Sequence, residues 1–223
     1  MDPITLSHRV ALLGFDPKKG RLIGYSKIAI AGACLAELFL LERLKLDRKG
    51  RVEIRGKGRT GQSHLDACLD VIGKGKRALP ASRLVSHLAY RAKPDRILFQ
   101  EFEDRGLVRP EKRRFLGLFP YQVWSERKAE PRLQVLQSIR DCLYGSTKEV
   151  DTETSLLISL AKGAQLLTRV VDRKELKKLK PRLESITQGE FLGKAAQEAV
   201  QAIQTAAMVA SITSATVATT ATH

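Results

Sequence analysis

Cysteine is nearly absent from this 223-residue chain, aromatics make up only 5% of it, and no apolar run reaches membrane-spanning length. Each shortage excludes something. Cys34, Cys68 and Cys142 are far apart, odd in number and contain no CxxC pair. That argues against a disulfide framework and against a zinc site, so no metal is expected, and it fits a reducing cytosol. A bilayer-spanning helix needs about 18 or more consecutive apolar residues, so any membrane contact is expected to be peripheral. Asp2, His8, Arg9 and Asp16 interrupt the opening residues, which gives no signal-peptide pattern.

Catalytic signatures are missing too. The Gly56–Gly61 loop is rich in Gly and Lys but lacks the GxxxxGK[ST] spacing that grips phosphates, and reads as a basic connector. There is no GxSxG elbow and no HExxH pair. The four histidines (His8, His64, His87, His223) do not cluster along the chain, and His64 and His87 read as partly exposed helix residues. His64 and Cys68 share a helix face, but Asp66 points away, which is poor geometry for a Cys-His nucleophile. No enzyme and no cofactor are expected.

What the chain has is positive charge: 39 Lys and Arg against 24 Asp and Glu, a formal net charge of +15. Such an excess attracts polyanions, either nucleic acid or an anionic membrane surface. Residues 41–60 hold eight basic side chains and three acidic ones. Arg109–Arg114 and Arg173–Arg182 add two further basic clusters. Like-signed clusters reinforce one another within a Debye length of roughly 8–10 Å.

Apolar periodicity predicts a mainly helical domain with a central apolar helix and two inserted β-hairpins. A short amphipathic helix covers Thr5–Phe15, with Leu6, Val10 and Leu13 near one face, and a turn follows at Asp16–Gly20. Ser26–Leu44 has a broad apolar face and is expected at the centre of the core. Leu44–Leu46 and Val52–Ile54 form a hairpin around Asp47-Arg-Lys-Gly50. Helices follow at His64–Ile72, Ala81–Tyr90 and Asp95–Asp104, the last with Pro94 in its first turn and Gly106 as its C′ residue. A second hairpin includes Phe115–Trp124, the most aromatic segment. Helices are then expected over Pro131–Tyr144, Asp151–Val171, Arg173–Ile186 and Glu190–Ile212. Residues 1–212 read as one domain, and Thr213–His223, without acidic, lysine or arginine residues, as a frayed tail.

Several segments, in order and spacing, resemble the Golgi phosphoprotein 3 family. They are Val10–Leu22, the Ala31–Leu46 helix running into the first hairpin, Thr60-Gly61 with Leu65-Asp66 and Leu69, and Phe102–Val108 followed by Arg114–Val123. The resemblance implies a mostly helical, non-enzymatic peripheral membrane protein. It implies a basic pocket for phosphatidylinositol 4-phosphate, and a hairpin for membrane contact and self-association. In eukaryotic members it further implies coupling to the sorting of Golgi glycosyltransferases. The tryptophan, arginine and two basic residues of the eukaryotic pocket fall here on Leu22, Ala31, Ala92 and Asp95, a departure that suits a prokaryotic-type member. Arg21, Lys27, Arg91, Lys93 and Arg96 lie beside those positions and are the candidate headgroup-binding residues.

In the second hairpin, Arg113 and Arg114 with Phe119, Tyr121 and Trp124 are the candidate membrane-contacting residues. Aromatic rings beside basic groups provide the two signals that peripheral attachment needs. The expected partners are anionic lipids on the cytosolic face of a membrane, a second copy through the 114–124 hairpin, and cytosolic tails of membrane proteins. Two rival readings remain: a winged-helix-like nucleic-acid-binding module, since helix followed by basic hairpin occurs twice, and a scaffold for acidic protein tails. The acidic Asp95–Asp104 helix counts against the nucleic-acid reading.

Overall fold

The computed structural model describes residues 4–115, 118–145 and 150–188. The expected helix over Glu190–Ile212 and the tail after it lie outside the described residues.

Nine α-helices and three two-stranded antiparallel sheets are described. Helix α1 (Leu6–Gly14) starts at Thr5, whose hydroxyl lies 2.9 Å from Nδ1 of His8 three residues on. This side-chain closure of the first turn is a capping-box arrangement. Sequence periodicity made α1 amphipathic, with one buried face. In the fold Leu6–Gly14 is buried except at Arg9, because α2, α6 and α7 enclose it.

The expected turn at Asp16–Gly20 is flanked by a small hairpin, β1 (Phe15–Asp16) with β2 (Arg21–Leu22), so there are three hairpins rather than two. Helix α2 (Ser26–Leu40) is the central element: Ala29–Phe39 is buried throughout. Its Ala, Gly and Cys side chains are small, so neighbours approach closely. A Cβ on Gly32 would stand 2.9 Å from Cδ2 of Leu160. Leu35 and Leu38 are fully buried, and truncating either to Ala should cost about 2–5 kcal/mol.

The next hairpin, β3 (Leu44–Leu46) with β4 (Val52–Ile54), forms where expected. Helices α3 (Ser63–Gly73), α4 (Ala81–Arg91) and α5 (Pro94–Asp104) pack on α2. Gly106, at φ +67°, ends α5 by letting its own amide and that of Leu107 bond back to Glu103 and Phe102.

Strands β5 (Val108–Phe115) and β6 (Phe119–Glu126) form a hairpin longer than the aromatic segment alone suggested. Helix α6 (Glu130–Tyr144) follows. The single helix expected over Asp151–Val171 is split into α7 (Thr152–Gly163) and a 3-10 turn at Leu167–Arg169, with Gln165 between them at φ +59°. Likewise Arg173–Ile186 divides into α8 (Arg173–Lys178) and α9 (Lys180–Gln188). Among the described residues no helix is long and apolar enough to cross a membrane.

Candidate functional site

The site begins with a docking contact. Gly20 has φ +65°, and its carbonyl accepts a hydrogen bond from the Trp124 amide at 2.8 Å. A Cβ there would stand 2.8 Å from both the Trp124 carbonyl oxygen and the Val123 Cβ. Only glycine provides both the backbone conformation and the room. The β1–β2 turn is thereby pressed onto β6, which brings Arg21 beside the long hairpin.

A concavity of about 600 Å³ results, lined by Arg21 and Leu22 of β2, Lys27 of α2, Asp95, Arg96, Phe99 and Gln100 of α5, and Gln122 and Trp124 of β6. Three of the five candidate headgroup residues therefore face one pocket. Arg91 and Lys93 are exposed but do not line it. Lys27 Nζ stands 3.5 Å from the buried Asp95 carboxylate. Among the described residues neither Arg21 nor Arg96 makes an ion pair. Three cations thus face one carboxylate, which favours an anion.

The hairpin divides the aromatic candidates. Successive strand residues point to opposite faces, so Phe119 and Tyr121 share one face, and Gln122 and Trp124 the other. Arg113 lies opposite Tyr121, and Arg114 opposite Pro120. Trp124 is half-buried at the stem, where its ring meets Phe99 at 5.5 Å between centroids. It is a pocket wall, separate from the outer aromatics with which the sequence grouped it. Leu118, Phe119 and Tyr121 are 76%, 64% and 44% exposed. The stem is held to α6 by Arg132, whose Nε and Nη2 donate to Glu126 Oε1 and Oε2 at 2.6 and 2.9 Å. That bidentate bond raises the Arg132 pKa.

A second concavity, about 470 Å³, opens between Thr5, the Thr60–His64 segment and the C-terminal end of α5. Here a sequence expectation fails. His64 is 1% exposed rather than partly exposed, and it meets His8 with ring centroids 5.0 Å apart. Glu101 lies between them, its Oε2 2.9 Å from His8 Nε2 and its Oε1 3.1 Å from His64 Nδ1. Burial would raise the Glu101 pKa, but the hydrogen bonds and charges of His64 and His8 outweigh this and lower it to about 2. The three residues are far apart in the chain. The only sequence signal was the Thr5-x-x-His8 spacing, which a capping reading absorbs. The Thr60-Gly61…Asp66 pattern is a loop clasp: Asp66 Oδ1 accepts from the Thr60 amide at 2.7 Å and its hydroxyl at 2.8 Å.

The chain matches the Golgi phosphoprotein 3 (GPP34) family over residues 6–203 and belongs to that family. No curated protein matches it.

Proposed function

We propose that this protein is a non-enzymatic peripheral membrane protein that binds an anionic lipid headgroup in the Arg21–Lys27–Arg96 pocket. The convergence of these three cations on one open concavity beside the exposed hairpin carries the reading. Family membership and the formal charge of +15 support it. Arginine suits a phosphate because its planar fork offers parallel N–H donors to two oxygens. Lys27, half-exposed and 3.5 Å from Asp95, is free to exchange that weak pair for a headgroup oxygen.

Attachment has two components. The basic surface concentrates the protein at an anionic leaflet, with each Lys or Arg near the surface contributing about 1 kcal/mol. Leu118, Phe119 and Tyr121 then enter the interface, beside Arg113 and Arg114, and slow release. Arg91 and Lys93 add charge from outside the pocket. Pairing of two copies through the hairpin would raise avidity, and sedimentation velocity over a concentration series checks that. Because Leu22, Ala31, Ala92 and Asp95 replace the family's phosphoinositide-reading residues, the pocket takes anionic headgroups without strict phosphoinositide selectivity.

The test is vesicle co-sedimentation at two salt concentrations. Neutral vesicles, phosphatidylglycerol or cardiolipin vesicles, and vesicles doped with phosphatidylinositol 4-phosphate are compared, with duplex DNA as a soluble competitor. Binding to every anionic vesicle, weakened by salt and by Arg21→Ala with Arg96→Ala, is expected. No vesicle binding, or retention on DNA instead, would remove the membrane reading. Strong preference for the phosphoinositide would leave the membrane role and overturn the broad selectivity.

A further inference from the structure

The cluster His8, His64 and Glu101 has no part in the lipid reading. Three elements build it: His8 comes from α1, His64 from the first turn of α3, and Glu101 from α5. Both imidazoles are nearly inaccessible, at 2% and 1% exposure. One ligand atom from each residue lies within 4.8 Å of the other two.

We infer that these three side chains bind a divalent transition-metal ion of the zinc class. Two imidazoles and a carboxylate are a donor set suited to that class, and they leave a fourth position open. The surrounding hydrogen bonds fit it. The nitrogens facing Glu101 are His8 Nε2 and His64 Nδ1. The far nitrogens each meet a hydroxyl: His8 Nδ1 lies 2.9 Å from Thr5 Oγ1, and His64 Nε2 lies 2.9 Å from Ser7 Oγ. A hydroxyl either donates or accepts, so His64 can present a bare Nδ1 to a metal while its far N–H remains bonded to Ser7. At His8 the Thr5 amide also points at Nδ1, at 3.4 Å, so metal binding at Nε2 moves the ring proton to Nδ1 and replaces that weak contact with an N–H bond to the Thr5 hydroxyl. Metal-ligating histidines are held in this way by outer partners.

A second observation points the same way. Glu37 Oε1 accepts from the Ser7 amide at 3.1 Å, but Glu37 Oε2 is buried without a hydrogen-bond partner, 3.9 Å from His64 Nε2. Two carboxyl groups thus flank His64, one on each side of the ring. A divalent ion at the Nδ1 side meets that negative charge. Tetrahedral bonds of about 2.0–2.1 Å place ligand atoms roughly 3.3–3.4 Å apart. The Glu101 contacts of 2.9 and 3.1 Å are made by different oxygens, so an ion held by one of them draws the other imidazole inward from a cluster whose ligand atoms already lie within 4.8 Å of one another. All three residues line the concavity of about 470 Å³, which admits water or another oxygen donor.

The experiment uses the full chain, stripped with chelator and titrated with Co²⁺ under absorption spectroscopy and with Zn²⁺ by calorimetry. One equivalent should bind, with ligand-field bands of low-coordinate cobalt and no thiolate charge-transfer band. Glu101→Gln should weaken binding on the order of 100-fold while circular dichroism stays unchanged, and Ser7→Ala should weaken it about 10–100-fold. If Glu101→Gln fails to fold, imidazole nitrogen NMR of the wild-type chain with Zn²⁺ decides. Perturbation of His8 Nε2 and His64 Nδ1 supports the site. No binding, a thiolate band, or perturbation confined to His87 or His223 overturns it.

Discussion

The short hairpin β3–β4 and the long hairpin β5–β6 are both rich in basic residues, yet they use that charge differently. In and beside the short one the cations are largely spent at home. Arg51 bonds Asp47 at 2.7 Å, Arg55 meets Glu42 at 3.1 Å, Lys45 meets Glu53 at 3.5 Å, and Arg43 donates to the Gly58 carbonyl at 2.6 Å. In the long hairpin Arg113 has one contact, with Glu111 at 3.8 Å, and Arg109, Lys112 and Arg114 make no ion pair among the described residues. A count of basic residues along the sequence therefore differs from the charge available to a partner. The richest cluster is the one most internally matched.

The two hairpins can be set against each other experimentally. The largest contrast is expected between two glycines. Gly20→Ala forces a Cβ into Trp124 and Val123 at positive φ and should cost about 2–3 kcal/mol. Gly50→Ala, at φ +70° in the short turn with nothing within 4 Å of its Cβ, should cost about 1 kcal/mol. Urea denaturation of both variants measures the difference, and equal losses would break the docking account.

Next in size is the anchor of the stem. Arg132→Ala leaves Glu126 without its bidentate partner in a site where both side chains are mostly covered, and should destabilise by about 1–3 kcal/mol. Arg51→Ala, with a side chain 43% exposed, should cost under about 1 kcal/mol. Thermal melts of the two variants in parallel check the ordering.

For membranes, Arg113→Glu with Arg114→Glu should reduce affinity for anionic vesicles roughly tenfold or more, at about 1 kcal/mol per basic residue lost. Lys45→Glu with Arg55→Glu should do less. A greater loss from the short hairpin would reverse the comparison.

The smallest effect is in acid. In Asp16, burial would raise the carboxyl pKa, but the Lys18 and Lys19 amides and the Arg169 charge lower it below 3.8. In Asp47, the Arg51 amide leads in lowering it, helped by the Arg51 side chain and the Lys49 amide. A depressed folded-state pKa stabilises above the unfolded value and is lost as pH falls through the folded one. Stability should therefore drop progressively below about pH 3.8. Asp16→Asn or Asp47→Asn should each flatten that acid limb slightly, read from melting temperature between pH 5 and 2.

Much of the fold was legible because local signals agreed with the packing. The short hairpin, the proline start of α5 and its glycine stop all stand where turn and capping chemistry put them. Periodicity misjudged α1 because it reports the sequence's own apolar face, whereas burial depends on how many neighbours enclose the helix. The breaks after Gly163 and before Lys180 carried ordinary stop and start signals, Gly163 and Pro181, which the expected continuous helices ran through. Arg21, Lys27 and Arg96 were found by adjacency along the chain to a resemblance, and the fold brings those three together. Trp124 separated from Phe119 and Tyr121 because strand alternation outweighs proximity in sequence. The His8–His64–Glu101 cluster left only the Thr5-x-x-His8 spacing in the sequence, since three helices supply one residue each.

The stem of the long hairpin also works as a ruler. Trp124 stands in the pocket wall and Phe119 five positions further out. At about 3.4 Å per strand residue the two are roughly 17 Å apart along β6. Arg132 and Gly20 fix the inner end. The distance between the Arg21–Lys27–Arg96 pocket and the outermost aromatic ring is therefore set by backbone geometry, and the proposed membrane role requires a tilt that lets both reach one flat surface.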